Sequence, residues 1–357
     1  MRKELGSGLK ATSKVTERSN NLPSLAYQLR LSSNLPVGLL DMTGEKAPDV
    51  DIYKEPPEHL LEILKAHIPH SLPLLRRLRF MRFAGGSTAH THILFASEPP
   101  SYYAAEAPFT AAYLDFSRGP ETEVWLYSSL ERAATDPSAF HPDALQDGEE
   151  TAVRALRTVK RLRDEYSEER REVPTVFAGT LSEALRRVLV GNRGFVVPYC
   201  EPYDKWVFQV DKLPVPDVPN ASALADGMRW ESVRRADIPF MLSRSKIPRK
   251  ERTVTLLPSM ALYREDGTPV AWCFLGPDSS LTSLHCEEEY RGRGFAKAVA
   301  AKLLREHLAD YGDDGYCWAD VAPDNLSSQG VCKSLGGKIA SAVSWSRIDL
   351  DRSFPDQ

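Results

Sequence analysis

The carboxy-terminal third of the chain has the most regular pattern of apolar and polar positions. Short runs of apolar, β-branched and aromatic residues alternate there with turn residues, and such a pattern predicts strands. The pair Asp266-Gly267 between two of these runs predicts a hairpin turn. The predicted strands lie at residues 228–233, 259–263, 269–275, 281–286, 316–321 and 339–348.

Helical spacing of apolar residues predicts three helices among these strands. The longest runs from Phe295 to about Tyr311, with one apolar stripe, and Gly312 ends it. A helix at residues 238–245 can be capped by Asp237, and a short helix covers residues 327–335.

Residues 51–212 also predict a mixed α/β unit. Strands are predicted at residues 87–96, 111–116 and 123–128, and helices at residues 59–68, 148–169 and 181–190. The second helix has a buried stripe, and the third ends at Gly191-Asn192, which can supply a left-handed cap. The stripe consists of Val153, Leu156, Val159, Leu162 and Tyr166.

The boundaries between these regions follow from composition. Residues 213–220 read LPVPDVPN, and prolines lack the backbone donor that a strand or helix needs, so this segment predicts a linker. Residues 1–50 show no sustained periodicity and predict a weakly ordered leader. Because 357 residues are many for one core, we expect an amino-terminal domain at 51–212 and a carboxy-terminal domain at 221–357.

Charge and composition exclude several classes of protein. A formal net charge of −4 gives no electrostatic basis for binding nucleic acid or an anionic membrane. No apolar run approaches the roughly 20 residues that span a bilayer, and the amino terminus lacks a secretory signal. The five cysteines are odd in number and scattered, which favours free thiols in a cytoplasmic protein. His90 and His92 alternate on one predicted strand but lack a third ligand nearby, so no metal site is expected.

The candidate chemistry lies in the turn between a strand and the longest helix. This turn reads Arg291-Gly292-Arg293-Gly294-Phe295-Ala296. Glycines let the backbone approach a ligand, and the N–H groups and dipole of a helix amino terminus favour a pyrophosphate. A turn of this kind is also common as a plain structural element, so its surroundings decide its interpretation.

Those surroundings resemble the GNAT superfamily of N-acetyltransferases. The pattern Arg-x-x-Gly-x-Ala after a strand resembles the acyl-CoA signature of that family. The segments from Val321 to Ser328 and from Lys333 to Gly337 are similar to its second motif. The hairpin at residues 257–272 resembles the glycine N-acyltransferase-like branch. The resemblance is clear over residues 228–350 and weaker over 51–212.

This resemblance implies a tandem GNAT-like α/β (α+β) fold, with a mixed central sheet flanked by helices and acyl-CoA bound in the carboxy-terminal half. It also implies acetyl-CoA or another acyl-CoA as co-substrate, with its pyrophosphate on the turn from Arg291 to Ala296. Its pantetheine arm would pair with one strand like an added β-strand, and the thioester would enter where that strand splays from residues 316–321. The implied contacts are Leu284, His285 and Cys286 on that strand, and Asn325 and Ser328 in the second motif.

Two positions depart from the family pattern. Cys332 stands where the family usually has a tyrosine that protonates the departing thiolate, and a small buried hydrophobe is the alternative interpretation. The branch tends to place a glutamate base where this chain has Ser280, with Asp278 in what we expect to be a solvated turn. His285 is then the remaining candidate base on the strand, unless it is a packed histidine or the base acts through an ordered water.

Three functions remain open from the sequence. The first is an acyltransferase that acylates a primary amine of a small molecule or amino acid. The second acylates a protein amino group, which an open acidic groove would favour over a closed apolar cleft. The third is a catalytically silent acyl-CoA-binding or scaffold protein. An aromatic cluster in the amino-terminal domain is expected in its core and could also line a cleft between the domains. It comprises Tyr102, Tyr103, Phe109, Tyr113, Phe116 and Trp125.

Overall fold

The fold is taken from a computed structural model that describes residues 49–98, 102–135, 142–166, 173–214, 227–245, 247 and 249–355. The predicted leader, up to residue 48, and the predicted linker, from residue 215, lie outside these residues. None of the helices in the described ranges is both long enough and apolar enough to cross a bilayer.

The described residues form twelve strands. These are β1 (Asp51–Tyr53), β2 (His92–Ser97), β3 (Phe109–Leu114), β4 (Val124–Ser128), β5 (Val176–Ser182), β6 (Val196–Gln209), β7 (Arg229–Glu231), β8 (Ser259–Tyr263), β9 (Pro269–Leu275), β10 (Leu281–Cys286), β11 (Tyr316–Val321) and β12 (Lys338–Asp349). The helices between them are α1 (Glu58–Ala66), α2 (Leu72–Phe80), α3 (Leu130–Thr135), α4 (Pro142–Glu165), α5 (Glu183–Arg193), α6 (Ile238–Ser243), α7 (Glu251–Val254), α8 (Phe295–His307), α9 (Leu326–Ser334) and α10 (Leu350–Ser353).

The strands lie in two sheets. The larger has the order β1-β2-β3-β4-β5-β12-β6-β11, and the smaller has the order β10-β9-β8-β7. The larger sheet is mixed, because β4 and β5 run parallel while its other neighbours are antiparallel. A mixed sheet flanked by helices confirms the predicted fold class.

The long strand β6 connects the two predicted domains. It belongs to residues 51–212, yet it lies between β12 and β11 of the carboxy-terminal part, and it pairs with β12 over most of its length and with β11 over residues 204–209. The two predicted domains therefore share one sheet, and contacts group residues 48–357 into one unit. The exact boundary at 213–220 stays a prediction.

Three apolar clusters hold the sheets and helices together. In the amino-terminal half, Ala112 and Leu114 of β3 belong to the apolar cluster with α4 on one face of the sheet. Tyr113 belongs to the cluster with α1 and α2 on the other face. The third cluster packs the small sheet against α8, whose predicted stripe is buried from Phe295 to Leu308. The α4 stripe is confirmed as well, with four members buried and Tyr166 packed against them.

Two predicted caps were wrong. Helix α5 continues through Gly191 and ends at Gly194, whose φ of 69° is left-handed. Asp237 makes no side-chain cap bond to α6 because its carboxylate accepts a hydrogen bond from the Tyr263 hydroxyl at 2.8 Å. Residue types such as those at Gly191 and Asp237 commonly cap helices. Contacts with neighbouring residues determine whether a given one does so.

Candidate active site

Strand β10 carries a bulge in its middle. Thr282 pairs with Phe274 and His285 pairs with Trp272, so two residues, Ser283 and Leu284, lie opposite a single residue of β9. Ser283 has a φ of 51°, which L residues rarely adopt. Since β10 is also the edge strand of its sheet, the bulge leaves backbone groups available at an open edge.

The other wall of the site is β11, the edge strand of the larger sheet. The two edges meet at one parallel bridge, between Ser280 and Trp318. Beyond that bridge the described parts of β10 and β11 form no further pairs, so their facing edges are unpaired and leave an opening in the strand pairing. Edge strands that face such an opening can pair with an extended ligand through their backbone groups.

The predicted turn closes the far end of β10. Gly292 and Gly294 both have left-handed φ angles, of 76° and 82°, and a side chain added at Gly292 would meet nothing within 4 Å. Arg291 donates from Nε to the carbonyl oxygen of Cys286 at 3.1 Å, which ties the turn to the strand end. The Arg293 guanidinium lies over the Tyr290 ring at 5.4 Å. The turn is therefore exposed and carries two cations.

Helix α8 begins immediately after this turn and has thirteen residues. Its first internal bond runs from the N–H of Ala298 to the carbonyl of Gly294 at 3.0 Å. The three preceding N–H groups, from Phe295 to Lys297, are not used by the helix. No acidic side chain lies in its first turn, so this end of the helix suits an anionic ligand.

The second motif forms the loop after β11 and the start of α9. The Asn325 side chain caps α9 by accepting a hydrogen bond from the N–H of Ser328 at 3.1 Å. Gln329 donates to the carbonyl of Pro323 at 2.8 Å, so both ends of the loop are fixed. Leu326 is 74% exposed at the tip of this loop.

A small cleft, partly open to solvent, lies beside the bridge between β10 and β11. Its wall includes Ser280 of the bridge and residues from both predicted domains. Charged and aromatic side chains that line it are Arg77, Phe80, Arg118, Glu121, Trp125, Arg249, Asp278 and Trp345. Trp125 is the member of the predicted aromatic cluster that reaches this cleft, while Tyr102 and Tyr103 are partly exposed elsewhere.

Asp278 was expected in a solvated turn, and that expectation was wrong. Only 1% of Asp278 is exposed. One carboxylate oxygen accepts hydrogen bonds from Ser280, and the other accepts one from the Trp125 indole at 2.9 Å. Because Trp125 comes from a strand 153 residues away, the local sequence gave no signal of this burial.

Comparisons with known proteins agree with this geometry. Residues 48–206 match the family model described as acyl-CoA N-acyltransferase verG N-terminal domain. Residues 260–346, which contain the bulge, the turn and the second motif, match the model described as FR47-like protein. The chain belongs to the GNAT superfamily of acyltransferases. Two acyltransferase models in succession fit a tandem GNAT-like fold.

Solved structures similar to this GNAT protein share little sequence with it. A protein from Drosophila is 15% identical and superposes with a TM-score of 0.58, covering 85% of this chain and 99% of its own. A tandem GNAT protein from the clavulanic acid biosynthesis pathway is 12% identical, with coverages of 84% and 97% and a TM-score of 0.45. A GCN5-related N-acetyltransferase from Sphaerobacter thermophilus is 12% identical, with coverages of 85% and 96% and a TM-score of 0.41. The first of these shows a shared fold. A comparison with curated proteins finds no significant match.

His285 of this GNAT protein lies on β10 next to the bulge. Its ring stacks on Trp272 at 4.6 Å, and Nε2 lies 3.5 Å from the Glu287 carboxylate without forming a hydrogen bond. Burial lowers the pKa of His285 below its ordinary value, although Glu287 acts in the opposite direction. The imidazole is therefore neutral near pH 7 and keeps a ring nitrogen free to accept a proton.

Cys332 lies on α9 with 3% of its surface exposed. Its side chain belongs to the apolar cluster of the carboxy-terminal half. Burial raises the pKa of the thiol to about 12. This environment matches the packed-hydrophobe interpretation, because a proton donor must reach the departing group.

Sequence reasoning brought together the strand, the turn and the second motif, and it suggested a cleft between the domains, but it identified neither the bulge nor the arginines of the cleft. Arg77 lies on α2, a helix that was not predicted, and Arg249 lies in the irregular segment before α7. The helix that carries Arg77 could have been predicted from the sequence. Residues 72–80 read LPLLRRLRF, with apolar residues at helical spacing and a proline at the helix start. Nothing in the sequence indicated that these two arginines line the same cleft.

Proposed function

We propose that this protein is an N-acyltransferase that transfers an acetyl or other acyl group from CoA to a primary amine of a small molecule. The observation that carries the proposal is the opening between β10 and β11 beyond the single Ser280–Trp318 bridge, with the turn at Arg291–Ala296 at its far end. Acyl-CoA, when bound there, supplies an acyl group activated as a thioester.

The residues of this site fit such a ligand. The unused N–H groups at the start of α8 and the side chains of Arg291 and Arg293 would hold the pyrophosphate. The free edge at Leu284, His285 and Cys286 would pair with the amide groups of the pantetheine arm. Asn325 and Ser328 hold the opposite loop in shape, where it would contact the pantetheine or adenosine side.

The cleft beside the bridge is the proposed acceptor site. The cleft lies next to the amino-terminal end of β10. An amine within it would therefore approach the thioester from the bridged end of the opening between β10 and β11. Three of its charged side chains are arginines, and only Glu121 and Asp278 are acidic. A protein acceptor with a lysine side chain would favour an acidic groove, and this composition therefore supports a small-molecule acceptor over a protein.

Proton transfer is assigned to His285 and to solvent. The amine must lose a proton as it attacks the thioester carbonyl, and a neutral His285, which lies five residues along the chain from Ser280 of the cleft, would accept it through ordered water. The departing thiolate receives its proton from solvent, because Cys332 is enclosed in the apolar cluster.

Turnover tests this proposal. The purified protein is mixed with acetyl-, butyryl- and hexanoyl-CoA and a panel of small primary amines, and thiol release is followed together with the mass of the acylated product. Amine-dependent thiol release with a matching N-acyl product is the expected result. If CoA thioesters bind but no amine on a broad panel is acylated, the alternative of a silent acyl-CoA-binding protein replaces the enzyme.

A further inference from the structure

The middle strands of the larger sheet carry a row of aromatic side chains on one face. Val176 of β5 and Ile348 of β12 belong to the apolar cluster that packs the other face against α4 and α5. Because side chains alternate along a strand, their neighbours Phe177 and Arg347, which pair with each other, lie on the opposite face. Residues two positions along β12 and directly across on β6 share that face. We call its three rings, Phe177, Tyr199 and Trp345, the aromatic floor.

The three rings contact one another in sequence. The Trp345 and Phe177 ring centres lie 6.0 Å apart, and those of Phe177 and Tyr199 lie 6.5 Å apart. The Arg347 guanidinium lies over the Phe177 ring at 4.6 Å and donates to the carbonyl of Pro120 at 3.4 Å, which holds the middle of the row. Trp345 and Phe177 are half-buried, whereas Tyr199 is 46% exposed. The aromatic floor therefore runs from the interior to the surface.

A glycine on the neighbouring strand makes room for the Trp345 ring. A Cβ atom added at Gly179 of β5 would lie 2.9 Å from that ring and 2.7 Å from the methyl group of Thr122, closer than side-chain atoms approach in proteins. The indole thus lies directly against the backbone of β5, and only glycine leaves the space that this requires. One side of the ring is fixed in this way, so its position in the cleft wall is set before any ligand binds.

The aromatic floor is continuous with the proposed acceptor cleft. Trp345 lines this cleft together with Ser280 of the bridge, so one molecule in the cleft can contact both. Beyond Trp345 the floor continues through Phe177 to the exposed Tyr199. Partly exposed rings beside a concave site are typical of a surface that binds the apolar part of a ligand.

An aromatic ring fits this surface better than a saturated group of the same size. Both gain from burial, but a ring is also attracted by the quadrupoles of the indole and phenyl rings and can stack on the planar guanidinium of Arg347. A stable protein interface takes about 20 residues a side, so three rings beside a small cleft favour a small ligand. We propose that the acceptor amine carries an aromatic ring, which packs on the aromatic floor at Trp345 while the amine lies towards Ser280.

This inference rests on the proposed function for the amine, but the ring site can be tested without turnover. Binding of 2-phenylethanol and of 2-cyclohexylethanol, which have the same carbon skeleton and no amine, is measured by ligand-observed NMR titration of the wild-type protein. The phenyl compound should bind saturably and about 3- to 10-fold more tightly, the range expected for ring stacking beyond burial. Equal or tighter binding of the more apolar cyclohexyl compound would overturn the proposal.

Variants locate the ring site. Trp345→Leu should abolish the preference for the phenyl compound, and Trp345→Phe should keep most of it. Tyr102→Leu is the control, because Tyr102 is 41% exposed and does not line the cleft. An unchanged preference in folded Trp345→Leu would overturn the proposal.

Two further measurements cover the cases that these variants leave open. If Trp345→Leu does not fold, the wild type is labelled with 5-fluorotryptophan, and the fluorine resonance that is missing in Trp345→Phe should shift saturably with 2-phenylethanol. A resonance that does not shift would overturn the proposal. A wild-type dimer in sedimentation that Tyr199→Arg abolishes would assign the aromatic floor to a second copy of the chain and would also overturn it.

Acyl transfer then separates the ring site from the proposed function. With 2-phenylethylamine and 2-cyclohexylethylamine as acceptors, kcat/KM should favour the phenyl compound by at least about 3-fold in the wild type and not at all in Trp345→Leu. Equal transfer to both amines by the wild type would overturn the ring site and leave the acyltransferase intact. A phenyl preference in binding that Trp345→Leu removes, but with no amine acylated by the wild type, would support the ring site and contradict the enzyme.

Discussion

Ser280 and Trp318 form a parallel bridge that joins the edges of two sheets. Trp318 is fully buried, and its indole N–H donates to the carbonyl of Asp278 at 3.1 Å, so side-chain and backbone contacts hold the bridge together. On one side of the bridge lies the cleft, which Arg77, Arg118 and Arg249 line, and on the other β10 and β11 form no further pairs. The bridge therefore sets where the proposed acceptor site ends and the proposed acyl-CoA site begins.

The amino-terminal half has no glycine between β4 and α4 that could form a turn like that of residues 291–294. There β4 and β5 pair in parallel at two successive residues, Val124 with Ala178 and Trp125 with Gly179, and α3 follows β4 without a glycine turn. We expect one equivalent of CoA to bind per chain, and titration calorimetry measures this directly. A stoichiometry of two would contradict the assignment of the amino-terminal half to the acceptor side.

His285→Gln tests the proposed base. If the imidazole accepts the amine proton, kcat should fall about 100-fold or more, within the usual range for a general base. Because burial places the pKa of His285 below its ordinary value, wild-type activity should decline only as the pH falls below about 6.5, and this acidic limb should vanish in the variant. If kcat falls only a few fold and the pH profile is unchanged, solvent and not His285 accepts the amine proton.

Cys332→Ser tests the proton donor. The account predicts near-normal turnover and a loss of stability of about 1–3 kcal/mol, since a hydroxyl would replace a thiol inside an apolar cluster. Turnover and the melting temperature are measured together. A loss of activity of a hundredfold or more, with unchanged acyl-CoA affinity and melting temperature, would assign a catalytic role to the thiol.

Glu131 should make stability depend on pH. Burial raises the pKa of this carboxyl to about 8 in the folded protein, from about 4.5 in the unfolded chain. The folded protein therefore holds an extra proton between these values, and its free energy of unfolding should fall as the pH rises from 5 to 8. Urea unfolding at both pH values should show a smaller fall for Glu131→Gln than for the wild type or the exposed control Glu62→Gln. An identical fall in all three proteins would contradict this prediction.

The strands closest to the site and the first residue of α8 were predicted within a residue or two because local chemistry determines them, whereas α8 ends at His307 and not near Tyr311. The Asp266-Gly267 turn fixes the pairing of β8 with β9, and the positive φ of Gly292 and Gly294 explains why glycines stand before α8. The family's chemistry could likewise be inferred from that turn and from the cap at Asn325.

What the sequence did not predict depends on distant contacts. Strand β6 contains Pro198 and Pro202 and has an exposed first half, so it lacks the alternation of a strand, and it forms because β11 and β12 pair with it on both sides. The burial of Asp278 likewise requires Trp125 from another strand. Residues such as Arg77 and Arg249 line the same cleft only after these pairings form, which is why the cleft could not be derived from motif spacing.

Acetyl-CoA binding to Gly294→Asp shows whether the turn at Arg291–Ala296 holds the pyrophosphate of the cofactor. A carboxylate at this position would point into the proposed pyrophosphate site at the start of α8, so calorimetry should show affinity weakened by at least about 100-fold. Gly194→Asp is the matched control, because Gly194 has a similar φ of 69° and open space around it but ends α5 in the other half. The account predicts wild-type affinity for Gly194→Asp and a large loss for a folded Gly294→Asp. Unchanged affinity in folded Gly294→Asp would contradict it.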